Sequence, residues 1–89
     1  MAADKTPDSV IVENIGSLTL TIATFTTNDI DDNDTWTPGI KSAVCYGVEP
    51  TIDGPQDTCI DAYDTTLGRF TFGSAANQTA KVWVMHRGY

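Results

Sequence analysis

Histidine, cysteine, glutamate and basic residues are all scarce in this chain, with one His, two Cys, two Glu and five Lys plus Arg. One His cannot complete a zinc set with two cysteines whose spacing fits no zinc pattern. There is no paired glutamate, no G-x-S-x-G elbow and no glycine-rich phosphate loop, and 89 residues leave little room for a lined pocket beside a core. Catalysis and a bound cofactor are therefore not expected. Five bases against twelve acids, a net charge of −7, argue against direct binding of nucleic acid. No run approaches the ~18 to 20 apolar residues of a membrane span, so no membrane association is expected. The opening "MAADKTPD" lacks the apolar centre of a signal peptide, so synthesis in a cytoplasm is expected.

What is abundant points to strands. Ten Asp, fourteen Thr, seven Ile and six Val combine a turn-forming acid with side chains that fit a pleated sheet and lose rotamer freedom in a helix. Residues 1–8 read as a flexible polar arm with Pro7 blocking regular pairing, and 9–89 as a single domain. Strands are expected over 9–13, 17–26, 40–48, 58–64, 69–73 and 80–86, joined by turns rich in Asp, Gly and Pro. "SLTLTIATFT" carries the clearest alternation, Leu18, Leu20 and Ile22 on one face and Thr19 and Thr21 on the other. Phe25 breaks that phase, so a bulge near Ala23 or Thr24, or a change of sheet, is expected. The last strand is apolar on both sides, Val82 and Val84 against Trp83 and Met85, and should be buried twice over or form an interface. The fold class is all-β, a small antiparallel sandwich or barrel-like sheet of about six strands.

Charge is unevenly placed. Residues 1–64 hold all twelve acids with only Lys5 and Lys41, a balance of −10, whereas 65–89 hold Arg69, Lys81 and Arg87 and no acid, a balance of +3. The basic strip either pairs with the domain's own acidic loops or offers a docking edge. Asp29, Asp31 and Asn33 match the first half of a D-x-D-x-N calcium loop, but Asp34 and Ile40 stand where the glycine and the bidentate glutamate belong. A solvated loop with Asx turns is the reading preferred to a metal site.

Cys45 and Cys59 are expected as reduced, largely buried thiols, although a disulfide is sterically possible if their strands pair. His86 reads as a strand-end or interface residue. Trp36, Tyr46, Tyr63, Trp83 and Tyr89 could line a sugar-binding face but are more often core or subunit contact. Trp83 and Tyr89, with Arg69, Lys81 and Arg87, are the interface candidates.

The stretches "GSLTLTIATFTT", "DTWTPGIKSAV" and "GRFTFGSAANQTAKVWVMHRGY" together resemble the small all-β decoration, or cement, proteins on the capsids of tailed bacteriophages. The resemblance is architectural and carries no invariant motif. It implies a non-enzymatic virion protein on the outer capsid surface, a homo-oligomer, often a trimer, that bridges major capsid protein subunits. The other expectation is a binding module, either a carbohydrate-recognising sandwich or a tail or fibre component. Such a module needs an exposed aromatic platform at Trp36, Tyr46 or Tyr63, or a filled calcium site.

Overall fold

A computed structural model describes residues 3–49, 59–73 and 78–88, with 26–29 and 78 described by their backbone alone. The strands are β1 (Ser9–Ile15), β2 (Leu18–Ile30), β3 (Thr35–Trp36), β4 (Ala43–Glu49), β5 (Cys59–Asp64), β6 (Arg69–Gly73) and β7 (Gln78–His86). One sheet has the order β1-β2-β7-β4 and the other β3-β6-β5, with every neighbouring pair antiparallel. The fold is all-β and sandwich-like rather than a closed barrel, and there is no helix among the described residues. The strand beyond those expected is β3. Two residues carry no alternation to read, and β3 exists because Asn33 donates to the Phe72 carbonyl at 2.9 Å while Phe72 donates to that of Asp34 at 2.8 Å.

β2 corrects the expected phase. Its ladder with β7 runs unbroken from Thr19 opposite His86 to Phe25 opposite Ala80, and the register shifts only between Phe25 and Ile30. There is no bulge at Ala23 or Thr24. Thr21, Ala23 and Phe25 are the buried, inward residues, whereas Leu18, Leu20 and Ile22 alternate with them and point out, half-buried. Thr21 is tolerated inside because its hydroxyl lies 2.8 Å from Nε2 of fully buried His86.

The core sits between the sheets, formed by Ala23, Phe25, Ile30, Ala80, Val82 and Val84 from one side and Trp36, Phe70 and Phe72 from the other, with Ile40 from the connection. Phe25 meets Trp36 and Phe72 edge-on at 5.9 and 5.6 Å, and Phe70 stacks between Trp36 at 5.5 Å and Tyr63 at 4.6 Å. Such contacts add about 0.5 to 1.5 kcal/mol per pair beyond area burial. Tyr63 pins the chain where it crosses between sheets, donating to the Ile40 carbonyl at 2.7 Å and accepting from the Ala43 amide at 3.1 Å.

The β5–β6 turn is set by sequence chemistry. Asp64 accepts from the amides of Thr66 and Leu67, and Gly68 has φ +66°, with a would-be Cβ only 2.5 Å from the Gly39 backbone. Only glycine fits there.

Candidate interaction surface

The acidic loop is organised around one carboxylate. Asp34 is fully buried, accepting from the Ala3 amide and the Asp31 amide at 2.8 Å each, with Lys5 Nζ 3.7 Å away. The polar N-terminal stretch is stitched on by the same region: Lys5 donates to the Thr35 carbonyl, Thr35 donates to that of Ala3, and Asp4 accepts from the hydroxyls of Thr35 and Thr37. Of the calcium candidates, Asp31 is half-buried and Asn33 is exposed in a left-handed turn at φ 70°, while the Asp29 side chain lies outside the described residues. Among the described residues no three His, Cys, Asp or Glu side chains are grouped to hold a metal ion.

The cysteines depart from expectation. Both are free and exposed rather than buried, Cys45 in β4 of one sheet and Cys59 in β5 of the other. Their strands do not pair. Partial burial first, and then the Asp61 carboxylate 3.6 Å from Sγ, hold the Cys59 thiol above its ordinary pKa although the side chain is largely exposed. Such a thiol is a poor nucleophile.

His86 is fully buried at the end of β7. Its Nδ1 lies 2.6 Å from the Gly88 carbonyl, which can only accept, so that nitrogen donates. The Thr21 hydroxyl takes the other side of the ring.

The aromatic platform required of a sugar-binding module is not assembled. Trp36 is 4% exposed in the core, and Tyr63 stacks on Phe70. Tyr46 is exposed at its rim but packs edge-on against Tyr63 and Phe70.

The basic residues do not form one strip. Arg69 lies on the outer face of the three-stranded sheet, where its Nε donates to Thr37 Oγ1 at 3.1 Å and the register sets it opposite Asp64. Lys81 lies on the outer face of the other sheet, between Thr24 and Glu49. Arg87 is exposed just past β7, and Tyr89 lies outside the described residues. The three bases therefore do not share a docking side.

What the strands do bring together is apolar. Across the outer face of the four-stranded sheet, one row reads Ile11, Ile22, Trp83 and Gly47, the next Glu13, Leu20, Met85 and Cys45, and a third Ile15 and Leu18. Trp83 spreads over Gly47, where a Cβ would come within 2.8 Å of its ring. No described strand packs over this face. Trp83 was a candidate from sequence, but Leu20, Ile22 and Met85 were not joined to it. Their signal was present in the Phe25 phase break, which marks the leucine side of β2 as the outer one. No protein-family model, curated protein or solved structure matches the chain.

Proposed function

We propose that this protein is a non-enzymatic assembly component of the capsid-decorating kind that its sequence resembles, bridging major capsid protein subunits on the outer surface of a bacteriophage virion. The observation that carries the reading is the apolar outer face of the four-stranded sheet, over which no described strand packs. A contiguous outer face of Ile11, Ile22, Leu20, Trp83 and Met85 on a chain of net charge −7 is surface that a lone soluble domain rarely keeps. Its occupant is an apolar ledge on the capsid subunit. The margin of the face sets Lys81 opposite Glu49 in the strand register, Glu13 lies at its β1 side, and the other exposed acids limit wrong association. Several copies linked as a homo-oligomer would engage neighbouring capsid subunits together, so that modest single contacts give high avidity.

The test is saturable co-sedimentation with capsids of the virus whose genome encodes the chain. Wild-type protein is expected to saturate the shell. Leu20→Lys, a charge placed in the middle of the face, is expected to stay folded and remain in the supernatant. Wild-type protein that ignores capsids at tens of micromolar sinks the reading. The glycan-binding alternative gains nothing from the structure, because Trp36 is spent in the core.

A further inference from the structure

We propose that two copies of the chain pair edge to edge through β1, joining their four-stranded sheets into one continuous sheet about a two-fold axis. The inference rests on reading the protein as an assembly component, and it assigns the contact between copies, whereas the apolar face serves the capsid.

Edge strands are ordinarily protected against pairing by bulges, prolines, lysines or a covering segment. The other edges have such devices. β4 is broken by a register shift between Ala43 and Cys45, β5 by one between Ile60 and Ala62, and β3 has residues 3–5 hydrogen-bonded along it. β1 has none. It is seven residues without proline, lysine or bulge, every one of them exposed, and Val10, Ile11, Val12 and Ile15 each keep about half their surface, at 49, 54, 50 and 47%.

Its free hydrogen-bonding groups can be located. Ile15 opposite Leu18 closes a turn of Gly16 and Ser17, so Ile15, Glu13 and Ile11 direct their N–H and C=O groups at β2. The Thr24 carbonyl, which accepts from Asp8 at 2.8 Å, has the orientation this alternation requires. Val10, Val12 and Asn14 therefore point theirs away from β2, where no described strand lies.

The occupant that fits is the same strand. A two-fold axis perpendicular to the sheet pairs residues of like face, and centring it on Ile11 sets Ile11 against its copy. Val10 then stands opposite Val12 twice, with their outward N–H and C=O groups facing, and Glu13 stands opposite Ser9 rather than its own copy. Centring on Val12 instead would press Glu13 onto Ile11. Within the paired span Val10, Ile11 and Val12 offer roughly 250 Å² per copy, just under the size of patches that mark an interface. With its backbone edge the pair lies close to the ~1,000 Å² lower bound for specific contact, so a micromolar dimer is expected rather than an obligate one.

The experiment is light scattering of the full chain over a concentration series, beside Val12→Lys and beside Ile11→Cys in a Cys45→Ser, Cys59→Ser background. Wild type is expected to shift from monomer to dimer mass, and Val12→Lys to remain monomeric with an unchanged circular dichroism spectrum. Ile11→Cys should form a cross-linked dimer on mild oxidation, since a non-hydrogen-bonded antiparallel pair brings Cα atoms to about 4.5 Å, within disulfide range. Wild type that is monomeric throughout, a trimer, or a dimer that Val12→Lys leaves intact and Ile11→Cys does not trap overturns the β1 contact. Capsid co-sedimentation reads the other proposal separately. A monomer that still saturates capsids removes the dimer alone, and a cross-linkable dimer that ignores capsids removes the docking reading alone.

Discussion

The two outer faces of this sandwich are built on the same pleat and carry opposite chemistry. On the three-stranded sheet the outward positions are Thr35, Thr71 and Ala62, then Arg69 opposite Asp64, and the neighbouring polar groups are engaged: Thr37 with Arg69, and Asp4 with Thr35 and Thr37. On the four-stranded sheet the outward positions are Ile11, Ile22 and Trp83, then Leu20 and Met85. The first face is complete as it stands, because its polar groups find one another or water. The second satisfies nothing but itself. On the proposed reading, association belongs to the four-stranded side and the polar face takes no part in it, with the aromatic core between the two sheets.

That division is tested most severely where the sheets meet. Phe70→Ala removes the ring between Trp36 and Tyr63 and should destabilise by about 3 to 5 kcal/mol. A domain of this size has only the low end of the usual ~5 to 15 kcal/mol, so urea unfolding followed by circular dichroism should show a variant largely unfolded at 37 °C. Next in size is Asp34→Ala on the three-stranded side. It leaves the amides of Ala3 and Asp31 without their acceptor, at about 2 to 3 kcal/mol. Faster hydrogen exchange at those amides and at Thr35 would be the local signature. If Asp34→Ala is neutral, the N-terminal stretch contributes nothing to the three-stranded sheet.

These effects also show why parts of the molecule were legible in the sequence and others were not. The class of fold and most strand positions follow from β-branched alternation between Asp-rich and Gly-rich turns, which is local information. Which face of β2 points inward is not local. Leu18, Leu20 and Ile22 look like a core face, and they turn outward because Phe25, in the opposite phase, enters the aromatic cluster with Trp36 and Phe72. Thr21 goes in with Phe25 only because β7 delivers His86 to it from 65 residues away. The basic residues misled for the same reason: Arg69 and Lys81 are close in sequence, but β6 and β7 belong to different sheets. That Trp83 and Val82 take opposite faces of β7 was visible without knowing their neighbours, because the strand is apolar on both sides.

Thr21→Val addresses the inward polar pair directly. The substitution keeps the shape and removes the hydroxyl beside His86 Nε2, so it should destabilise by about 1 kcal/mol and leave association untouched. A stabilising outcome would mean that the ring finds a better partner without Thr21.

The smallest effects on folding fall on the two outer faces, and there the comparison becomes sharpest. Thr71→Lys and Leu20→Lys introduce the same charge at outward positions of central strands, β6 in one sheet and β2 in the other. Each should change unfolding free energy by no more than about 1 kcal/mol, because neither fills or empties the core. On capsids they should separate completely. Thr71→Lys adds a cation to a face already holding Arg69 and should bind as wild type, whereas Leu20→Lys sets an ammonium between Glu13 and Met85 in the middle of the apolar rows. Desolvating that ammonium against a partner is far costlier than leaving it in water, so the folded variant should stay off the shell. If instead Thr71→Lys abolishes binding while Leu20→Lys does not, the docked side is the polar sheet, and the apolar face must be accounted for by contact between copies.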